Sequence, residues 1–529
     1  MKANATGVVA LGTAGVVALV AGCAAPSVSD DARNVAAYAV ETYFDSTVAT
    51  LADLMAFQTV AEPSITVTDH PAVQEMTAYL ERKAGELGLD FEDHGAVVVI
   101  GLGDASERLG VVTHGDLQPA DASKWAADPF SLDRESEPGR LVGRGVEDDK
   151  GPIATALWAM KALKDRDTQL TKRIELIISY TEESDWAPFQ RFLARNEPPA
   201  LNVAIDAEYP VVTAEKGWNA IFLSVAPDEP PTGGPGASDP GANSPGANSP
   251  GAEGPRLTSF SGGAFLSQIP EDGVAVIAGA NANLISTLRA AAASDTTVQF
   301  SFLEGEPEEG SLTVQARGTS AHSSKPWEGI NGITHLAALL GTEDWPAGQA
   351  ATMVRLVNDL IGTQDYAERF GDVAFSNDFM GPLTLSLTTL GQGDEGNLTA
   401  GINIRAPMGR SSSELEGAVA AAIEGWVAET GIETVEHSML TSDPYYLEDA
   451  PHIPTLLDIF RHYTGRAEAG PASIGGGTHA RLLPNGINFG PAMPDEPYTG
   501  HSEHEYMSEA QYRLNLEMYT AMLVELAGG

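Results

Sequence analysis

Gly143-Arg-Gly-Val-Glu-Asp-Asp-Lys-Gly-Pro152 places two adjacent carboxylates, Asp148 and Asp149, between a glycine-rich turn and the start of a predicted helix. Adjacent carboxylates repel each other, so a folded protein confines them only where something cationic compensates their charge. We therefore predict that Asp148 bridges two divalent metal ions and that other segments of the chain converge on it.

Three apolar runs near this stretch each end in side chains that can bind metal. Residues 109–113 precede His114-Gly-Asp116, residues 173–180 precede Thr181-Glu182-Glu183, and residues 201–205 precede Asp206. A predicted helix over residues 152–163 separates the first two runs, and strands that alternate with helices indicate a mostly parallel sheet with helices on both faces. Functional groups collect beyond the carboxyl ends of such strands. The pattern therefore predicts an α/β fold with a mostly parallel-sheet, di-metal catalytic domain.

At 529 residues the chain is long enough for two domains. We predict a catalytic domain formed by residues 23–213 and 441–529, with residues 214–440 inserted as an α/β lid domain. Within the lid, residues 227–255 are dominated by Pro, Gly, Ala, Ser and Asn. Such a composition cannot offset the entropy of ordering by burial, so we expect a disordered loop there.

The N-terminal segment predicts export. Lys2 is the only charge in residues 1–22, and the apolar run over residues 8–20 has the length of a signal peptide rather than a membrane span. Val20-Ala-Gly-Cys23 resembles the processing box of bacterial lipoproteins, in which the cysteine is lipidated. We expect an extracytoplasmic protein anchored to the bacterial membrane through Cys23. The alternative is an ordinary signal peptide followed by an incidental cysteine.

The composition is strongly acidic, with 30 Lys and Arg against 73 Asp and Glu and a formal net charge of −43. This charge repels nucleic acid and anionic membrane surfaces. We therefore expect no nucleic-acid partner, and contact with a membrane only through the lipid on Cys23.

The metal-compatible side chains form a consistent set of ligands. Oxygen and imidazole ligands together suit zinc or manganese. Glu182 is next to a ligand and remains free to take a proton from water and pass it to a leaving amine. Asp116 is placed to orient the imidazole of His114. The charge of two divalent ions and a bridging hydroxide is balanced by three carboxylates, with two neutral imidazoles completing the set: Asp148, Glu183, Asp206, His114 and His501.

The order of the motifs resembles the M20 metallopeptidase family, and within it the branch of PepV-type dipeptidases. The resemblance extends over nearly all of the chain after residue 22. It rests on the following segments: Trp125, Asp128-Pro-Phe-Ser131, Gly139-Arg-Leu141, Gly143-Arg-Gly145 and Asp148-Asp-Lys-Gly-Pro152, together with His114-Gly-Asp116, Glu182-Glu183 and Asp206-Ala-Glu-Tyr-Pro210.

The resemblance implies a role for each of these side chains. Asp148 would bridge the two metals, with a cis peptide between Asp148 and Asp149. His114 and Asp206 would complete one metal position, and Glu183 and His501 the other. Glu182 would be the general base and acid, and Asp116 the residue that orients His114.

The inserted domain supplies two further implied groups. Gly318-Thr-Ser-Ala-His322 resembles the segment whose histidine stabilises the tetrahedral oxyanion. Asn403-Ile-Arg405 resembles the segment whose arginine binds the terminal carboxylate of the substrate. The size of the insertion favours a monomer that carries both groups within one chain.

These implications together predict a metal-dependent dipeptidase that hydrolyses the peptide bond of dipeptides with a metal-bridging water. Its cofactors would be two divalent ions, Zn²⁺ in the first place and Mn²⁺ or Co²⁺ as further possibilities. Two alternatives stay open: an M20-type deacylase or carboxypeptidase that acts on N-acyl amino acids or longer peptides, and a peptide-binding lipoprotein.

Three positions depart from the family pattern. Leu117-Gln-Pro119 stands where a Val-Val-Pro-like segment is usual, and His479 takes the place of a tyrosine in a Gly-Gly-Thr-Tyr-Ala pattern. In the last motif, His504 is a rival to His501 as ligand. His501 is favoured because Glu505 then falls where the family has its glutamate.

Overall fold

The computed structural model describes residues 28–228, 254–305 and 310–529. The predicted signal peptide, Cys23 and all but the ends of the predicted 227–255 loop lie outside the described residues. Among the described helices, none combines the length and the apolar character that crossing a bilayer requires.

Helix boundaries follow local capping chemistry. The side chain of Ser29 accepts a hydrogen bond from the backbone of Ala32 at the start of the first helix. The second helix ends at Gly88, whose φ of 69° is readily available to glycine. The α-helices α1–α10 span, in chain order, Asp30–Met55, Pro71–Leu87, Lys150–Asp165, Ala187–Leu193, Ala282–Ala292, Gly332–Leu340, Gln349–Leu356, Ser412–Thr430, Ile453–Thr464 and Glu509–Ala527.

Two large sheets organise the described chain. Their strands β1–β17 span, in chain order, Asp90–Asp93, Val97–Leu102, Arg108–His114, Arg173–Ser179, Leu201–Ala204, Val212–Glu215, Gly217–Val225, Arg256–Gly262, Asp272–Ala278, Gln299–Glu304, Leu312–Arg317, Thr384–Gln392, Leu398–Ala406, Val435–Leu440, Tyr445–Tyr446, Ala472–Ile474 and Gly486–Asn488. Short two-stranded ladders join Arg140–Val142 to Tyr506–Ser508, Ala207–Glu208 to Pro491–Ala492, Gln268–Ile269 to Ala321–His322, and Ser376–Asn377 to Gly381–Pro382.

The first sheet has the strand order β1-β2-β4-β3-β5-β17-β6-β15, with β16 also paired to β6. Its centre is parallel, since β3 pairs in parallel with β4 and β5, and β5 with β17. Toward its edges, β2 pairs antiparallel with β1 and β4, and β6 with β17 and β15, whereas β16 pairs in parallel with β6. The predicted α/β fold class is confirmed, and the predicted parallel character belongs to the centre of the sheet.

Helices cover both faces of this sheet because its strands are apolar on both sides. Val98 and Ile100 belong to a core shared with α1, α3 and α10. Val97 and Val99 point the opposite way, into a smaller core that contains Phe189 of α4. The alternation follows from the two-residue period of a strand.

The second sheet has the order β10-β11-β9-β8-β12-β13-β7-β14, and its pairings are antiparallel. Its core includes residues from α5, α6, α7 and α8. The chain passes from the first sheet to the second between Glu215 and Gly217, and returns between Leu440 and Tyr445. The domain boundaries at residues 213/214 and 440/441 stay predictions.

Candidate active site

The central strands of the first sheet place three groups at one edge. β4, β3 and β5 are neighbours and run in parallel. His114 is the last residue of β3, Glu182 and Glu183 lie shortly after the end of β4, and Asp206 follows β5. The topology of the sheet therefore brings these side chains together, as expected at the carboxyl ends of parallel strands.

Asp148 lies between the two imidazoles. Its Oδ1 is 2.9 Å from Nε2 of His114, and its Oδ2 is 3.2 Å from Nε2 of His501. His114 Nε2 is also 3.4 Å from Oδ1 of Asp206, and His501 Nε2 is 2.8 Å from Oε1 of Glu183. The five residues predicted as metal ligands thus form one buried or nearly buried cluster with Asp148 at its centre.

Asp149, which is outside the predicted ligand set, also lies next to this cluster. The predicted cis peptide between Asp148 and Asp149 is present. Ligand atoms of Asp149 also come together with those of His114 and Asp206. One oxygen of Asp149 accepts hydrogen bonds from Thr113 and from the backbone of His114, and the other is buried without a hydrogen-bond partner among the described residues.

The backbone around Asp148 is fixed by a glutamate from the C-terminal segment. Oε1 of Glu505 accepts hydrogen bonds from the backbone N–H groups of Gly145, Glu147 and Asp148 at 2.8–3.1 Å. Its other oxygen accepts from the guanidinium of Arg144 at 2.9 Å. Because Glu505 is fully buried, these bonds satisfy a charge that would otherwise be costly.

Glu147 connects the same two segments, with its carboxylate on the Asp148 turn and the donors on the C-terminal segment. Its Oε2 accepts hydrogen bonds from the backbone N–H groups of Thr499 at 2.7 Å and Gly500 at 3.2 Å. Burial raises the pKa of Glu147 to about 8, although the bonds from Thr499 oppose this shift. Glu147 and Glu505 therefore fasten the Asp148 turn to the segment that carries His501.

Both imidazoles are held in the orientation that a metal ligand requires. Nδ1 of His114 is 3.1 Å from the backbone oxygen of Asp116, and Nδ1 of His501 is 3.4 Å from the backbone oxygen of Ser267. A carbonyl only accepts, so each Nδ1 donates, and each Nε2 faces the carboxylates, where it would offer its lone pair to a metal ion that displaces its proton. The carboxylate of Asp116 also accepts hydrogen bonds from the backbone of Glu182 and Glu183.

The buried carboxylates of the cluster favour the binding of cations. Burial, followed by the charge of Asp206, raises the pKa of Glu182 well above its usual range. Burial raises the pKa of Asp206 to about 6. Burial alone would lower the pKa values of the imidazoles, but nearby carboxylates raise that of His114 well above its ordinary value and that of His501 to about 10. Carboxylates and imidazole lone pairs that converge in a buried space are a donor set that fits divalent metal ions.

The lid contributes His322 to this region. Its ring centre is 4.5 Å from that of His501. The backbone N–H of Ser324 donates to Nδ1 of His322 at 3.1 Å, so the proton of the neutral ring is on Nε2. Burial, followed by the charges of His501 and Arg405, lowers the pKa of His322 well below its usual range. His322 is therefore a neutral hydrogen-bond donor.

Arg405 is a buried guanidinium held by neutral groups. It donates to the side chains of Asn403 at 2.7 Å and Ser323 at 3.1 Å, and to the backbone oxygen of Gly475 at 3.2 Å. Within the described residues, no carboxylate lies at ion-pair distance from it. Burial lowers its pKa to about 9, so the group stays cationic at neutral pH.

One cavity of about 380 Å³ connects the cluster to these lid residues. Trp218 on β7 lies opposite Arg405 on β13 in the strand register, so both side chains are on the same face of the second sheet. Among the residues that line the cavity are Asp148, Glu182, Glu183, Trp186, Asp206, Trp218, His322, Arg405, Ile474, Arg481, Tyr498 and His501.

Residues 110–525 match Peptidase family M20/M25/M40. The chain belongs to this family. It is 32% identical over 434 residues to YtjP of Bacillus subtilis (strain 168). The aligned region covers 80% of this chain and 84% of YtjP. The chain is 26% identical over 456 residues to the Beta-Ala-Xaa dipeptidase of Lactobacillus delbrueckii subsp. lactis, covering 86% and 89%. The fold is similar to that of human carnosine dipeptidase 1, with a TM-score of 0.56 at 15% identity over 94% of this chain and 99% of the other.

The three departures from the M20 pattern have distinct places in the structure. Gln118 donates a hydrogen bond to Oε2 of Glu183 at 3.0 Å. His479 is buried behind the cavity, with its ring stacked on Phe189 at 4.1 Å. His504 is exposed and contacts Glu137, whereas His501 lies in the cluster.

Several residues of this M20 site are not predicted from the sequence. Tyr498 donates a hydrogen bond to Asp148, and Lys325 of the lid pairs with Glu208 at 2.7 Å. Trp186 donates from its indole to the backbone oxygen of Glu182 at 2.7 Å. Trp186 lies three residues after Glu183, and this proximity in the sequence indicates that it belongs near the site. The sequence does not indicate such a role for Tyr498 or Lys325, because their partners Asp148 and Glu208 are distant in the chain.

Proposed function

We propose that this M20 protein is a metal-dependent dipeptidase that hydrolyses the peptide bond of dipeptides. One observation carries the proposal: a single cavity joins the carboxylate–imidazole cluster to Arg405, a buried cation without a carboxylate partner among the described residues. Buried charges in proteins are normally paired, so Arg405 provides a place for the carboxylate of a ligand. The names of the Lactobacillus and human relatives support the same substrate class.

Two divalent ions, Zn²⁺ or alternatively Mn²⁺ or Co²⁺, would activate water and polarise the carbonyl of the substrate. His114 and Asp206 would hold one ion, Glu183 and His501 the other, and Asp148 both. This assignment uses the two Nε2 lone pairs and the oxygens that face them.

The chain's own residues would handle the proton, the developing charge and the substrate. Glu182 would accept a proton from the attacking water and pass it to the leaving amine, a role that suits a carboxyl with a raised pKa. His322 would donate from Nε2 to the oxygen of the tetrahedral intermediate. Arg405, oriented by Asn403, would bind the C-terminal carboxylate and thereby limit the distance from that end to the scissile bond.

The deciding experiment compares free and amidated dipeptides. Arg405→Met should raise KM for dipeptides with a free carboxylate by about tenfold or more, since a charge-assisted hydrogen bond contributes roughly 1.5–3 kcal/mol, and should leave C-terminally amidated dipeptides unaffected. Arg410→Met is the matched control, because Arg410 lies against Phe375 and Asp372 and does not line the cavity. An equal loss on amidated substrates would contradict the role of Arg405.

Metal dependence is tested in the same assay. A chelator should abolish turnover, and Zn²⁺, Mn²⁺ or Co²⁺ should restore it. Faster cleavage of N-acyl amino acids or of longer peptides would favour the deacylase or carboxypeptidase alternative. Stoichiometric peptide binding without turnover would favour the peptide-binding lipoprotein.

We further propose that the chain belongs to the PepV-type branch and acts as a monomer, exported and anchored through lipid on Cys23. The support is the sequence pattern around Cys23 and the motif order after it. Cys23→Ala should release the protein from the membrane fraction of its host without changing its specific activity. Retention of the variant in that fraction would contradict lipid anchoring.

A further inference from the structure

Tyr498 touches the central carboxylate of the site from outside the ligand set. Its hydroxyl donates a hydrogen bond of 2.7 Å to Oδ2 of Asp148, the oxygen that also faces His501. A carboxylate oxygen has two lone pairs, so it can accept this bond and still bind a metal ion. Tyr498 therefore contacts the position that Asp148 shares with His501 and Glu183.

The surroundings leave room for this hydrogen bond only because residue 500 is glycine. A Cβ at Gly500 would lie 2.5 Å from the Tyr498 hydroxyl and 2.9 Å from Oδ2 of Asp148. Both distances are below van der Waals contact, so any side chain at residue 500 would displace the hydroxyl or the carboxylate. The backbone N–H of Gly500 is in turn held by Glu147.

The ring of Tyr498 is positioned by the lid. It packs edge-on against His322 with ring centres 5.6 Å apart. Nζ of Lys325 is 5.9 Å from the ring centre, and the same ammonium pairs with Glu208. The hydroxyl is thus directed at Asp148 by contacts of its ring with two lid residues.

We propose that Tyr498 is a positioning residue that fixes the orientation of Asp148 and so strengthens the metal position on the His501 side. The inference rests on the proposed di-metal function. Hydrogen-bond partners of metal ligands commonly change metal affinity by about 10–100-fold, because they restrict the ligand to its binding rotamer. Without the phenol, Oδ2 of Asp148 is free to rotate away from His501.

The test measures Zn²⁺ binding to the full-length, metal-depleted protein by calorimetric titration. Tyr498→Phe should weaken binding of one of the two Zn²⁺ ions by about 10–100-fold and leave the thermal stability of the metal-free protein unchanged. Tyr506→Phe is the matched control. Its ring lies over Arg140 at 3.8 Å, and its hydroxyl makes no hydrogen bond within the described residues.

A second variant separates the hydrogen bond from general packing. Gly500→Ala should also weaken the binding of one Zn²⁺ ion. Its effect should be smaller when Tyr498 is already Phe, because the hydroxyl that the new Cβ displaces is then absent. Unchanged Zn²⁺ affinity in Tyr498→Phe would overturn the inference. If Tyr498→Phe weakened the binding of both Zn²⁺ ions equally, the assignment of Tyr498 to the metal position on the His501 side would be overturned. Absence of Zn²⁺ binding in the unmodified protein would instead overturn the proposed function.

Discussion

Glu182 is the residue that we propose as the general base and acid. Replacement by Gln retains size and hydrogen bonding but removes the base, so we expect kcat to fall by about 10²–10⁴-fold. Zn²⁺ content should be unchanged, since Glu182 is outside the ligand set. Steady-state kinetics on a dipeptide, combined with metal analysis of the same sample, checks both expectations.

Asp185→Asn is the matched control for this variant. Asp185 lines the same cavity, and its Oδ1 accepts a hydrogen bond from the backbone of Ala187, which Asn can also do. It should keep near-normal turnover. Near-normal turnover of Glu182→Gln would instead rule out Glu182 as the base.

His452 provides a separate test of stability against pH. It is buried, its Nε2 donates to the backbone oxygen of Asn202 at 3.1 Å, and burial lowers its pKa to about 4. The unfolded chain protonates this histidine near pH 6.5, so between about pH 6.5 and 4 the unfolded state binds the additional proton and stability falls as pH falls. The full effect is about 3 kcal/mol, from 1.36 kcal/mol per pKa unit.

His452→Gln should remove this part of the pH dependence. Urea unfolding of the metal-depleted protein at pH 7 and at pH 4.5 measures it. His462→Gln, at an exposed position of the same helix α9, should lose as much stability on acidification as the unmodified protein. Equal pH dependence in all three proteins would show that His452 titrates normally in the folded state.

The loop after β16 joins the two sheets over the active site. The backbone oxygen of Gly475 accepts from Arg405, and a Cβ at Gly475 would lie 2.7 Å from the backbone oxygen of Ser324. Ser324 in turn holds His322. Because a backbone atom cannot yield as a flexible side chain does, Gly475→Ala should displace both lid groups and lower kcat/KM by about tenfold or more, as expected when groups that touch the reacting atoms are misplaced.

Gly476→Ala is the matched control for this loop. Gly476 also lines the cavity, but a Cβ there would meet no atom closer than Cδ1 of Ile474 at 3.8 Å, so the change should leave kcat/KM within about twofold, as expected for a substitution that displaces no neighbour. Measuring both variants with saturating metal excludes an indirect effect through metal loss. Similar activities of the two variants would contradict the proposed contact between loop and lid.

At the level of strands, the sequence predicts the parts of the site that depend on local order. His114, Glu183 and Asp206 each follow an apolar run, and parallel pairing of β4, β3 and β5 brings them together. The exchange between Glu147 and Glu505 and the contact of Tyr498 with Asp148 could not be predicted. They depend on how segments about 350 residues apart pack, and nothing local to Tyr498 indicates a partner.

The whole molecule carries far more acids than bases, with a formal charge of −43. A few ion pairs, such as Lys124 with Glu271 and Asp272, are weakened by salt. With 73 acidic against 30 basic residues, screening of repulsion should outweigh that loss. We therefore expect Tm of the metal-saturated protein to rise when NaCl increases from 0.02 to about 0.5 M, where the Debye length falls to roughly 4 Å.

Calorimetry at these two salt concentrations measures the change in Tm. KCl is the matched control, because screening depends on ionic strength and should give the same rise as NaCl. A Tm that stays constant or falls would mean that specific ion pairs, rather than net repulsion, dominate the stability.

Asp148 and the acceptor of its backbone N–H, Glu505, are 357 residues apart. The entire second sheet lies between them in the chain. A ribosome has therefore synthesised the entire second sheet before the turn that holds Asp148 meets its acceptor. A nascent chain, or one terminated prematurely before Glu505, lacks the acceptor that holds this turn, so we expect no peptidase activity before Glu505 has been synthesised.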